Sequence, residues 1–158
     1  MRRTSDKRRL LNESVRPWRR ELVLSVGKCE CCGHSPHNPR PNMSPEMSAL
    51  CVHEILSGAL RRRTLDAPFA CLVTCIYCNC GPLMDKKLYP PAKQLALLLA
   101  SRKDDYDLAA FLKMRNPNAM QFVTQEEVDQ HVKELIDVGH PTSPAKTKVR
   151  SHFTERPS

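Results

Sequence analysis

Apolar positions cluster with helical spacing near both ends of the chain and in short runs through its middle. Trp18, Leu22, Val23 and Val26 share one helical face. Pro17 suits the first turn of a helix, with Ser14 upstream as a cap, and Gly27 is placed to end it. Residues from His34 to Pro45, rich in Pro, Asn and Ser, read as a loop. Leu50 to Leu56 and Phe69 to Thr74 predict short strands. Pro90 and Pro91 open a helix running through Gln94 to Ser101, with Leu95, Leu98 and Leu99 as its buried stripe. A shorter helix covers Tyr106 to Met114, ended by Asn116 and Pro117. The run Thr124-Gln125-Glu126-Glu127 is a capping box for a last helix carrying Val128, Val132, Leu135 and Ile136, closed by Gly139. No internal repeat is visible. The segments predicted are a mobile basic arm (1–16), a central module (17–88), a helical extension that packs on it (89–138) and a disordered tail (139–158).

Composition narrows this. With 158 residues, 41% of them hydrophobic but only 5% aromatic, and 13 prolines, the chain supports one modest core, which usually needs a covalent or metal staple. The net charge of +8 is unevenly spread. Arg2, Arg3, Lys7, Arg8, Arg9, Arg16, Arg19 and Arg20 crowd the start, Arg61, Arg62 and Arg63 form a second block, and Lys146, Lys148, Arg150 and Arg156 a third. Such clusters suit a polyanion, because each phosphate neutralised releases condensed counterions; the other reading is a solvated, solubilising surface. Asp104, Asp105 and Asp107 read as a solvated helix start rather than a cation site. The basic start has no apolar segment behind it, so no signal peptide is expected, and Leu95 to Ala100 is too short to span a bilayer. A cytoplasmic setting follows as the expectation, and reducing conditions favour metal ligation over disulfides.

Cys29 and Cys32, and then Cys75 and Cys78, are each spaced by two residues. This spacing lets two thiolates converge on one tetrahedral ion from a tight turn while the second pair arrives from a distant segment. Gly33 permits the close turn after the first pair. One structural Zn2+ on these four sulfurs is predicted. Cys31, Cys80 and His34 are placed to substitute for a neighbour, and Cys51 and Cys71 lie in apolar stretches as small buried hydrophobes.

The order of parts resembles the treble-clef ββα-metal module of the HNH endonuclease family, in its four-cysteine subset: a CxxC knuckle, a loop, Cys51-Val52-His53-Glu54-Ile55, a strand and a second CxxC. The likeness covers about residues 18 to 90 and includes Gly58 and Arg61 to Arg63. It implies an α+β fold, a zinc-stapled ββα module with flanking helices packed on it. It also implies a catalytic pair in the first strand, one residue binding a divalent cation and the next activating water. On this sequence the ligand falls on His53 and the base on Glu54; in the alternative register His53 is the base and Val52, which binds no metal, takes the ligand position. Near the second cysteine pair the family carries an Asn and a His, and Ala70 and Asn79 stand there instead. A second metal, Mg2+ or Mn2+, would then rest on His53 and Asn79. Otherwise His53 is a strand histidine satisfied by its neighbours, and Glu54 pairs with Arg61 or Arg62.

Three functions follow. The first is a zinc-binding module that holds nucleic acid, DNA ahead of RNA, through Arg16, Arg19, Arg20 and Arg61 to Arg63, with cleavage impaired or lost. The second is an active metal-dependent endonuclease using His53 and Glu54. The third is a protein-interaction module.

Overall fold

The computed structural model describes residues 6–56, 64–114 and 123–140. Helix α1 (Asp6–Val26) leads into the first cysteine knuckle, and the four-residue α2 (Pro45–Ser48) follows the loop. Strands β1 (Leu50–Glu54) and β2 (Cys71–Cys75) form an antiparallel pair with Leu50 opposite Cys75 and Glu54 opposite Cys71. The short α3 (Ile76–Cys80) leaves β2 directly, giving a ββα order. Then come α4 (Pro91–Ser101), α5 (Leu108–Met114) and α6 (Gln125–Asp137). The fold is α+β, as the sequence predicts.

α1 corrects the expected start at Pro17. It begins at Asp6 and runs through Pro17. Arg9 stands 3.7 Å from Asp6 and 3.9 Å from Glu13, one turn on either side. Arg, Leu and Glu propagate a helix already nucleated by its packed half. Glu13 and Pro17 are both exposed, so the carbonyl that the proline leaves without a donor meets water. Gly27, at φ 68°, ends the helix where predicted, its N–H donating to the Val23 carbonyl at 2.9 Å.

Each face of the hairpin packs on something different. Trp18, Leu22 and Val26 of α1 cover Cys71 and Val73, with Leu50 and Val52 at the margin. On the other side Leu72 joins the larger core with Leu95, Leu97 and Leu98 of α4, Phe111 of α5 and Val128 and Leu135 of α6. The extension thus completes the core around the cysteine knuckles, as the apolar stripes predict. Phe111 is wholly buried, and α5 starts on a cap in which Asp107 Oδ1 accepts from the Ala110 N–H at 2.8 Å. Asp105 pairs with Arg102.

The predicted capping box of α6 is present: Thr124 Oγ1 accepts from the Glu127 N–H at 3.2 Å, and Glu127 Oε2 from the Thr124 N–H at 2.9 Å. Gly139, at φ 68°, closes the helix and lets the His140 N–H reach the Leu135 carbonyl at 2.9 Å. Gly58, Arg61 to Arg63 and all of the predicted tail beyond His140 lie outside the described residues. Among the described residues no helix is long and apolar enough to cross a membrane.

Candidate metal centre

The first knuckle is a tight turn. The Gly33 N–H donates to the Cys29 carbonyl at 2.8 Å, and the Cys29 N–H to the His34 carbonyl at 2.8 Å. Gly33 takes φ 76°, which a residue with Cβ adopts only under strain. The knuckle also covers the edge of β2 that β1 leaves unpaired: the Glu30 N–H donates to the Val73 carbonyl at 2.8 Å and Val73 returns its N–H to Glu30 Oε2 at 2.6 Å. Cys75 ends β2 and Cys78 sits one turn into α3, so the second pair is delivered by a strand-to-helix corner.

These elements bring four sulfurs together. Cys29, Cys32, Cys75 and Cys78 place their Sγ atoms within 4.8 Å of one another, with Cys32 and Cys75 3.9 Å apart. Such a set is able to hold a metal ion. Cys32 accepts a hydrogen bond from Cys29, which holds the Cys32 thiol far below its ordinary range and leaves Cys29 well above. Cys78 is pushed up by its hydrogen bonds to Cys29, Cys31 and Cys32, because ionising it would add charge to an already crowded cluster. A divalent cation removes that repulsion, and an all-sulfur tetrahedral set is the donor chemistry that suits zinc.

None of the three proposed substitutes belongs to this group of four. His34 Nδ1 meets the Cys32 carbonyl at 3.0 Å, bracing the knuckle. Cys80 is exposed and outside the group of four. The buried Cys31 thiol lies against Cys78 and the Tyr89 hydroxyl, and the Cys78 hydrogen bond holds it below its usual range despite burial. His140 donates its Nε2 proton to the Cys31 carbonyl at 2.8 Å, tying the end of α6 to the knuckle.

His53 and Glu54 are neighbours in β1 and so project to opposite faces of the sheet. His53, 8% exposed, points toward α3 and α4. Its Nδ1 meets the Asn79 side-chain amide at 2.7 Å, and its Nε2 donates to Gln94 Oε1 at 3.0 Å. Gln94 is itself oriented by giving its amide proton to the Tyr89 carbonyl at 2.9 Å. His53 and Asn79 therefore meet through a hydrogen bond, and both ring nitrogens are occupied.

Glu54 faces α1 and binds Arg19, which also donates from Nε to the Leu65 carbonyl at 3.1 Å. This corrects one expectation: Glu54 shares no site with His53. Among the described residues Arg19 holds Glu54, while Arg61 to Arg63 lie outside them. Arg19 in turn spends its guanidinium inward rather than on a phosphate. Arg16 and Arg20 remain exposed. They line, with Asn12, Val15, Arg19, Val23, Leu50, Cys51 and Val52, a recess of about 500 Å³ between α1 and β1.

Glu30, Arg102 and Gln94 went unnoticed in the sequence. Gln94 alone carried a signal, a polar residue one turn before Leu98 on the buried stripe of α4.

No family model, curated protein or solved structure matches this chain.

Proposed function

We propose that the chain is a zinc-stapled, HNH-like module of treble-clef type that holds nucleic acid by its phosphates and does not cut it. Cys29, Cys32, Cys75 and Cys78 hold the zinc, which serves as a structural staple linking the first knuckle to the ββα unit. The observation that carries the binding half is the basic face of α1. Arg16 and Arg20 stand one turn apart, exposed and without an acidic partner among the described residues, with Arg19 between them. Like charges at this spacing cost a helix roughly 0.2–0.5 kcal/mol per pair, a cost that an anionic ligand reverses.

The cleavage half rests on His53. Metal-assisted phosphodiester hydrolysis needs an open metal position and a positioned base. Here His53 is enclosed by Asn79 and Gln94, and the only carboxylate beside it in sequence, Glu54, lies across the sheet on Arg19. An active nuclease is the second reading, favoured by the meeting of His53 with Asn79 at 2.7 Å.

Two assays separate them. Fluorescence anisotropy with labelled oligonucleotides is expected to give binding that weakens steeply with salt. Supercoiled plasmid incubated with Mg2+ or Mn2+ is expected to stay intact. Absence of any salt-dependent binding defeats the proposal, and metal-dependent nicking transfers it to the second reading.

A further inference from the structure

The recess between α1 and β1 is open and concave, and its lining alternates in character. Arg16 and Arg20 supply the cationic rim, Arg19 stands between them paired with Glu54, and Val15, Val23, Leu50 and Val52 supply an apolar wall. Val23, Leu50 and Val52 are only partly buried, so this wall is reachable from solvent. The recess opens on the face of the hairpin that carries Glu54, away from His53, Asn79 and the core side of α4.

Shape and charge together select an occupant. A duplex is a convex rod with its phosphates outermost, and it has nothing to lower into a recess of about 500 Å³. A single strand has its bases unpaired and its sugars accessible, so phosphates meet the arginine rim while sugar and base edges lie along the valines. The recess carries no aromatic residue for stacking, so phosphate and apolar contacts have to supply the binding. We infer that this recess is a binding groove for one strand of nucleic acid, with Arg16 and Arg20 on successive phosphates and Arg19 fixed by Glu54 as the inner wall. The inference deepens the binding reading above and rests on it. It adds that the groove is separate from the His53 pocket and prefers an unpaired strand.

The test uses the full chain with its metal, an oligothymidylate of about 16 nucleotides and a duplex of the same length. The single strand should bind more tightly. Arg16→Glu with Arg20→Glu should weaken it by about tenfold or more, and lower the dependence of log K on log salt by about 0.7 for each arginine lost. Lys133→Glu, the same kind of charge reversal on exposed α6 across the sheet, should have a much smaller effect. Val23→Trp fills the recess without altering charge and should also abolish the preference for the single strand, with circular dichroism and zinc content confirming that it folds. Equal or tighter duplex binding overturns the groove while sparing the general binding reading. So does an effect of the arginine pair no larger than that of Lys133→Glu, or displacement of the strand by thymidine monophosphate at similar concentration. Failure of both nucleic acids to bind removes both readings.

Discussion

Arg102 grips Glu30 with two parallel hydrogen bonds, Nε to Oε1 at 2.8 Å and Nη2 to Oε2 at 3.2 Å, and neither side chain is more than 4% exposed. Burial pushes the guanidinium toward deprotonation, but the Glu30 and Asp105 carboxylates more than offset it and the group stays firmly charged. Ser101 also donates to Glu30, and Arg102 to the Cys71 carbonyl. The pair thus bolts the first cysteine knuckle, β2 and the end of α4 together.

Arg102→Ala leaves a buried carboxylate uncompensated and should destabilise the fold by about 3–5 kcal/mol, read from urea denaturation. The double variant Glu30→Met with Arg102→Met removes both charges and should recover part of that loss, the Val73 N–H and the Asp105 carboxylate being left without these partners. Because Glu30 lies within the knuckle, Arg102→Ala should also weaken zinc binding in competition with a chromophoric chelator. An unchanged metal affinity would separate the pair from the metal centre.

Elemental analysis should find one zinc per chain. Cys29→Ser or Cys78→Ser should lose it together with most of the cooperative unfolding transition, and a strong chelator should do the same to the unaltered protein. Cys80→Ser should leave both metal and transition in place, since that thiol stands outside the cluster.

His53→Ala deprives Gln94 Oε1 and the Asn79 amide of their partner and should cost about 1–3 kcal/mol. Plasmid exposed to Mg2+ or Mn2+ should remain intact with the unaltered protein and with the variant. Cutting by the former that disappears in the latter would restore His53 to a catalytic role.

Cys71 gives a dependence on alkaline pH. Burial pushes its thiol up from the ordinary 9.0 to about 12, with Arg19 opposing weakly. A pKa raised on folding means that the unfolded chain loses its proton first. The buried neutral thiol therefore contributes fully below pH 9.0, and the contribution is lost as pH rises toward 12. The stability advantage of the unaltered protein over Cys71→Ala should be constant below that window and shrink by up to about 1.4 kcal/mol per pH unit within it. A difference independent of pH would show that the thiol is not held neutral by burial. Groups that titrate alike in both proteins cancel.

What could be read without coordinates was what is local. A CxxC spacing constrains two thiols by itself, and Thr124 with Glu127 defines a cap within one turn, so both were legible. The α4 stripe was legible from its period. Pro17 misled because its usual place is a first turn, although Leu11 and Val15 carry the period of Trp18 and Leu22 upstream of it and Val15 is buried. Partner choice was invisible for a different reason. Glu54 and Arg19 are 35 residues apart and Glu30 and Arg102 are 72 apart. Nothing in either short stretch says which charge turns inward, because that is settled by packing of the whole core. Gln94 is intermediate, since its position on a buried stripe marks it as needing a partner without naming His53.

The four sulfurs arrive in two instalments, Cys32 and Cys75 being 43 residues apart with the whole hairpin between them. During synthesis the first two thiols leave the ribosome well before the second two, and a two-thiol half-site retains a cation poorly. A metal held by all four thiols would therefore be loaded only after the second pair has emerged, and until then the early pair would stand as free thiols.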